Sequence, residues 1–202
     1  PSDIATHARL IAGFSDVVAV ALKNDGSARL VADSVSRGVI NLGDACGDPF
    51  TLLRDLYSIA KSRGGVNGNV NGLEKIKIAI LGNLKYNKLI HSFVSVLSLF
   101  SPRIYFVSPE ELQFPIDKLK ELNSKRVVFT EHDNIEGVIS NIDVIFSFGL
   151  QRNDFRDVSE YNASIKRFSI NNNTLHGVKE NLAIFGELPN SLFSRDVDNG
   201  LD

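Results

Sequence analysis

Lys75-Ile76-Lys77-Ile78-Ala79-Ile80-Leu81 runs directly into Gly82-Asn83-Leu84-Lys85-Tyr86-Asn87-Lys88, and this junction decides the fold. The first heptad reads as a strand, and the second as a turn that opens a helix spanning Tyr86 to Phe100. The alternation recurs outward. Arg103 to Val107 reads as a strand, Pro115 to Ser124 as a helix and Arg126 to Thr130 as a strand. Asn134 to Ser140 reads as a short helix and Val144 to Phe148 as a strand. Strands alternating with helices predict an α/β fold with a parallel sheet and right-handed crossovers. Ligands of such sheets bind outside the carboxyl ends of the strands. The segments that fall there are Gly43–Pro49, Gly82–Lys88, Ser108–Glu111, Phe148–Asp154 and Gly186–Asn190.

Toward the N-terminus the pattern repeats. Asp3 to Phe14 has apolar residues at helical spacing, and Val17 to Leu22 is a continuous apolar run, typical of a strand buried on both faces. Asn24-Asp25-Gly26 is turn chemistry. A short helix over Ser27 to Ser36 and a strand over Val39 to Leu42 follow. Pro49 to Arg63 reads as a helix with Leu52, Leu53, Leu56 and Ile59 on one side and Pro49 in its first turn. Residues 64–72 then hold four glycines and three asparagines. This stretch is a connection between two lobes or a flexible loop, and the first reading divides the chain into 1–63, 64–72 and 73–202.

Composition narrows the function. The chain has 202 residues, 43% hydrophobic and 23% charged, with a net charge of −2. It can bury a core, and it lacks the global basic field that attracts nucleic acid. Its apolar runs fall well short of the ~20 residues of a membrane span. A single cysteine, Cys46, excludes an internal disulfide framework and points to a reducing compartment such as the cytoplasm. His7, His91, His132 and His176 lie far apart, and neither CxxC nor HExxH occurs, so no metal is expected. GxGxxG and Walker A are also absent, so no nucleotide cofactor is expected and a dehydrogenase is the weakest reading. The chain contains no methionine, so it reads as part of a longer gene product.

Local patterns give bland and functional readings side by side. The Gly82–Lys88 turn can hold an anion at a helix N-terminus flanked by lysines, or it is simply a capped turn. Asp44, Asp48 and Asp55 could do acid–base work or bind a divalent ion. Capping is favoured for Asp48, which stands before Pro49. His91 on a helix reads as structural before catalytic. Cys46 has no neighbouring histidine to make it a nucleophile. Glu110-Glu111 after Pro109 suits the first turn of a helix.

Together these segments resemble one family. Val39-Ile40-Asn41-Leu42-Gly43-Asp44, Asp48-Pro49-Phe50-Thr51 and Leu53-Arg54-Asp55-Leu56-Tyr57-Ser58-Ile59 are similar to the carbamoyltransferase stretch VINAGDG…HPTQ..LDLYTI. Gly82 to Ser92 resembles GDLKYGRTVHS, whose LKY tripeptide points to the aspartate branch. Tyr105-Phe106-Val107-Ser108-Pro109-Glu110 resembles YFVAPE. Gln151-Arg152-Asn153-Asp154-Phe155 with Ser159-Glu160-Tyr161 resembles TRVQKERF…SEY, and Leu188-Pro189 with Asp196-Val197-Asp198 resembles HPLPR…DVD. On these motifs the chain is identified as a member of the aspartate carbamoyltransferase catalytic-chain family, with a degenerate active site. The resemblance implies two parallel-sheet lobes. The first, of carbamoyl-phosphate type, is truncated after the place of the phosphate-binding STRT motif. The second, of aspartate type, ends before the C-terminal helix.

The resemblance also implies a ligand set, and most of it is changed. The RHP arginine falls on Ala21 and its histidine on Leu22. The HPTQ histidine falls on Asp48 and its glutamine on Thr51. The LKYGR arginine becomes Lys88, and the TRVQ arginine becomes Gly149. HPLPR becomes Gly186-Glu187-Leu188-Pro189-Asn190. Gln151 is kept, and Lys88 is a partial substitute lacking the bidentate fork of an arginine. Losing one donor aimed at developing oxyanion charge costs about 2.7–4 kcal/mol of barrier. An anion at position 48, ~5 Å from a phosphate charge at an effective dielectric of ~20, adds about 3 kcal/mol of repulsion per unit charge.

The expectation is therefore a carbamoyltransferase-like protein of the pyrimidine-biosynthesis family that is catalytically inactive. It would act as a homo-trimer or in a hetero-oligomer with an active carbamoyltransferase chain, without nucleic acid or membrane partners. The family-equivalent catalytic positions are Ala21, Asp48 and Thr51, and the substrate-binding positions are Lys85, Lys88, Gln151, Leu188 and Pro189. Tyr86, Glu160 and Tyr161 are lobe or subunit contacts. The alternatives are an active aspartate carbamoyltransferase with atypical ligands, and a small-anion or amino-acid binding module built on Lys85, Lys88 and Gln151.

Overall fold

Among the residues that the computed structural model describes (2–45, 47–65, 71–171, 173–175, 178–186 and 192), seven strands form two parallel sheets. The chain divides into two units, Pro1–Asp55 and Leu56–Asp202.

In the first unit, α1 (Ser2–Ala12), β1 (Val17–Ala21), α2 (Ser27–Ser34) and β2 (Gly38–Gly43) make a two-stranded parallel sheet. Gly26 turns into α2 at φ 71°, the left-handed conformation that suits glycine. Ala8, Ala12, Val18 and Val31 form a small core, with Val20 and Val39 packed against it. The expectation of a strand buried on both faces fails here. Only Val18 of β1 is buried, while Val17 is 52% and Ile40 43% exposed. Side chains alternate across a strand, and α1 and α2 cover only the face that carries Val18, Val20 and Val39.

Helix α3 (Pro49–Ser62) buries Leu52, Leu56, Ile59 and Ala60, but Leu53 is 63% exposed. Leu53 was expected on the same side. At about 100° per residue it lies off the stripe that 52, 56 and 59 define. The helix ends where Gly65 N–H donates to Ala60 O (2.9 Å). Gly72, in a 3-10 turn over Asn71–Leu73, approaches that carbonyl so closely that a Cβ would lie 2.4 Å from it.

The second unit holds a five-stranded parallel sheet in the order β5-β4-β3-β6-β7, made of β3 (Lys77–Leu81), β4 (Arg103–Val107), β5 (Val128–His132), β6 (Val144–Ser147) and β7 (Ala183–Gly186). The chain leaves β3 toward β4 and β5, then returns to the other side for β6 and β7. The winding therefore reverses between β3 and β6, where such sheets bind ligands. Residues 78 to 81 are fully buried, as expected of a central parallel strand. Helix α4 (Lys88–Leu97) adds Ile90, Phe93, Val94 and Leu97 to the core, and Phe93 stacks on Phe146 at 4.1 Å. Helices α5 (Ile116–Ser124) and α6 (Val158–Phe168) complete the unit.

Several boundaries move for local reasons. Lys75 and Arg126 adopt φ 54° and 58°, so each belongs to a turn, and β3 and β5 begin two residues later. Helix α4 starts at Lys88, not Tyr86, because Asn87 caps it: its Oδ1 accepts from Leu89 N–H (3.0 Å) and Ile90 N–H (3.3 Å). The expected helix over 134–140 is a turn in which Asn134 accepts from Gly137 N–H, followed by a 3-10 turn at Ile139–Asn141. At the amino end of the sheet, Asp143 ties strands together. It accepts from Lys179 Nζ (2.6 Å) and Lys77 N–H (3.1 Å), with Arg63 Nη2 at 3.7 Å. Partial burial, the largest single influence, raises its pKa, but Lys179, the Lys77 amide and the Arg63 charge together hold it below the ordinary carboxylate range.

Candidate functional site

The carboxyl ends of β3 and β6 carry the Gly82–Lys88 and Phe148–Asp154 loops side by side. Gly82, at φ +117°, sits against β6, and a Cβ there would lie 1.9 Å from Phe148 O. Only glycine permits this approach. Phe148 N–H in turn donates to Leu81 O (2.9 Å). Gly186 at the end of β7 does the same on the other flank, where a Cβ would lie 1.9 Å from Ser147 O.

Beyond Gly82, the buried Leu84 anchors the loop, and its N–H donates to Leu112 O (3.0 Å). Lys85 and Tyr86 are exposed. Lys85 Nζ donates to Glu111 O (3.3 Å) and lies 5.3 Å from the centre of the Tyr86 ring. Lys88 is exposed at the first position of α4. His91 is structural in its contacts: Nε2–H donates to Leu84 O (2.8 Å), and the ring meets Phe114 edge-on. Glu110 and Glu111 belong to a three-residue 3-10 turn.

The neighbouring loop is held to this one by a polar bridge. Asn83 Nδ2 donates to Asp154 Oδ1 (2.9 Å), and Asn83 Oδ1 accepts from Tyr86 N–H (3.0 Å). Asp154 Oδ2 accepts from Gln151 N–H (2.9 Å), while the Gln151 side chain accepts from the Asp154 amide. This reciprocal cap fixes a 3-10 turn over Arg152–Asp154. Leu150 is buried beneath it, and Gly149 leaves its own position without a side chain. Downstream, Asp157 caps α6 by accepting from Glu160 N–H (2.8 Å), and Glu160 Oε2 accepts from Arg156 N–H (3.2 Å). Tyr161 is half-buried against Phe155.

Lys85, Lys88 and Gln151 thus stand on two loops that one bridge joins. Leu188 and Pro189 lie outside the described residues, as do Glu187, Asn190, Cys46 and the 196–198 motif. Asn83 and Asp154 were not among the residues singled out from sequence. What the sequence offered was their place in the loops that follow two strands, Asn83 two residues past β3 and Asp154 seven past β6, at the reversal point of the sheet.

In the first unit, Ala21 pairs with Gly43 at the strand ends. Gly43 in turn lies against Asp48, whose Cβ is 3.8 Å from where a Gly43 Cβ would stand. Asp48 Oδ1 accepts from Thr51 N–H (2.9 Å), the bond of an N-cap. Ala21, Asp48 and Thr51 therefore gather at the carboxyl ends of β1 and β2, with the Asp48 carboxylate engaged by the start of α3. Asp55 pairs with Arg54 at 2.8 Å. Among the described residues, no three histidine, cysteine, aspartate or glutamate side chains come together to hold a metal, and no helix is long and apolar enough to cross a membrane.

Chemically, the larger unit offers two exposed cations, Lys85 and Lys88, and the side-chain amide of Gln151 on a capped loop. That set suits a small anion or a carboxylate. The smaller unit offers one carboxylate, Asp48, engaged by Thr51 N–H.

Residues 74–200 match the family model described as the Asp/Orn binding domain of aspartate/ornithine carbamoyltransferase. The aspartate carbamoyltransferase catalytic subunit of Methanobrevibacter smithii is 33% identical over 199 residues, covering 97% of this chain and 60% of that one. The same subunit of Picrophilus torridus is 35% identical over 198 residues, covering 97% and 62%. The solved catalytic subunit of M. jannaschii aspartate transcarbamoylase superposes with a TM-score of 0.84 at 31% identity, over 96% of this chain and 62% of that one. The chain thus spans about 60% of the length of the curated relatives it matches. By the domain that matches, by the two loops at the reversal point and by this likeness, the chain belongs to the aspartate/ornithine carbamoyltransferase family, alongside aspartate carbamoyltransferase catalytic subunits.

Proposed function

We propose that this chain has lost efficient carbamoyl transfer and acts through association with itself or with an active relative, as a homo-trimer or a mixed assembly in the cytoplasm. The observation that carries this reading is Asp48. It stands at the position of the HPTQ histidine, and its carboxylate is held in place by Thr51 N–H. A carboxylate there opposes a phosphate instead of donating to it. Ala21 and Gly149 remove two further cationic positions. On this reading 1–63 corresponds to the carbamoyl-phosphate side, 64–72 to the connection and 73–202 to the aspartate side, with Tyr86, Glu160 and Tyr161 serving lobe or subunit contacts.

A second reading is favoured by the Asn83–Asp154 bridge, which keeps the Gln151 loop beside Lys85 and Lys88. The aspartate side then still recognises a small amino acid or anion, with Leu188 and Pro189 contributing as the motif implies. The competing reading is an active enzyme of pyrimidine synthesis, making N-carbamoyl-L-aspartate and phosphate from carbamoyl phosphate and L-aspartate.

One assay separates them: N-carbamoyl-L-aspartate formation by the purified protein, with and without the double change Asp48→His and Gly149→Arg. No product from the unmodified protein is expected. Product from it would overturn the first reading. Product from the altered protein alone would support the loss of donors as the cause.

A further inference from the structure

We infer that Asn83 and Asp154 are positioning residues for the amino-acid side of the site, setting where Gln151 stands relative to Lys88. The inference rests on the second reading above and deepens it. Each of the two side chains is used at both ends. Asn83 donates through Nδ2 to Asp154 and accepts through Oδ1 from Tyr86 N–H. Asp154 accepts Asn83 on one oxygen and Gln151 N–H on the other. The orientation of the Asn83 amide is forced, because an Nδ2 cannot accept the Tyr86 N–H. Both residues are half-buried, so an unmatched donor or acceptor there is poorly compensated by water.

The polarity of the pair supports the assignment. GDLKYGR carries an acid at the position of Asn83, and TRVQKERF carries a base at the position of Asp154. In this chain the acid stands on the opposite loop, and the two side chains meet at 2.9 Å. In this pairing each polar end of both side chains has a partner. Opening it would free the Gln151 turn, whose reciprocal cap depends on the same Asp154 carboxylate.

Reversing the pair tests this. Asn83→Asp alone sets two carboxylates against each other. Asp154→Asn alone sets an amide donor against a donor, either Asn83 Nδ2 or Gln151 N–H. Made together, the two changes restore every bond, with the amide now donating from position 154. The readouts on the full chain are L-aspartate binding by calorimetry and amide hydrogen exchange at Gln151. Asn83→Asp should weaken L-aspartate binding about tenfold or more, the loss of a hydrogen bond to a charged group. Gln151 exchange should quicken, and the double change should recover both, with binding within about threefold of the unmodified chain. If Asn83→Asp does not fold, Asp154→Asn against the double change gives the same comparison.

Faster exchange with unchanged L-aspartate binding would make the bridge purely structural and overturn the assignment. A double change no better than either single change would overturn the pairing. Absence of L-aspartate binding by the unmodified chain would overturn the second reading itself. The exchange data would then still report whether the bridge exists.

Discussion

Replacing Gly82 with alanine tests how the two loops at the candidate site are joined. The added Cβ would lie 1.9 Å from Phe148 O and 2.8 Å from its carbonyl carbon, on a backbone at φ +117°. Ordinary carbon contacts begin near ~3.5 Å, so one loop must withdraw by about 1.5 Å or β3 must unpair from β6. The backbone conformation alone costs a non-glycine residue about 1–3 kcal/mol. Displacing a fully buried central strand carries the total to about 4 kcal/mol or more. The chain has no tryptophan, so guanidinium unfolding followed by far-UV circular dichroism is the suitable assay. Gly38→Ala is the control, since nothing lies within 4 Å of its Cβ and its φ is ordinary. It should change stability by less than about 1 kcal/mol. A loss of that small size for Gly82→Ala would refute the close backbone approach and the juxtaposition of loops that depends on it.

Asp143 is held below the ordinary carboxylate range in the fold, so between its folded and unfolded values the unfolded chain binds more protons. Its contribution is complete above the ordinary carboxylate value and drains away as pH falls through the depressed folded one. Asp143→Asn should flatten that part of the stability–pH curve, measured by denaturant unfolding at a series of pH values. Ser101 and Arg126 sit at φ 51° and 58°, and Ser101→Gly or Arg126→Gly should each stabilise by up to about 1 kcal/mol, seen as a higher melting temperature. Asp48→Ala should cost about 1 kcal/mol through loss of the α3 cap, while Asp48→Asn, which can still accept from Thr51 N–H, should cost less in the same unfolding measurement.

The order of strands and helices was legible because the second unit is a parallel sheet whose strands are continuous apolar runs, as Ile78 to Leu81 and Val144 to Phe146 show. Arg103–Val107 matches its expected bounds. Misplaced edges share one cause: a polar side chain or a left-handed residue that redirects the backbone, as Asn87, Lys75 and Arg126 do. Helix α6 escaped notice because its apolar residues, Tyr161, Ile165 and Phe168, are few, and Asp157 and Glu160 announce it only as a cap. At the candidate site, motif spacing singled out Lys85, Lys88 and Gln151 as candidates, and two of them lie on the loop after β3 and one on the loop after β6. It could not reveal the Asn83–Asp154 bridge, which joins residues 71 apart in sequence. Asp48 was legible as a cap from its place before Pro49.

That cap has a consequence for the history of the chain. The carboxylate that stands where the family has a histidine now also secures the first turn of α3 through Thr51 N–H. A mutation back to histidine would give up that bond before any lost ligand returned, and Gly149 would still offer no guanidinium. On the proposed reading, reversal at position 48 alone restores no activity and costs the α3 cap. A side chain that caps a helix in this way becomes entrenched: on the proposed reading, return to a full ligand set requires several coordinated changes at once.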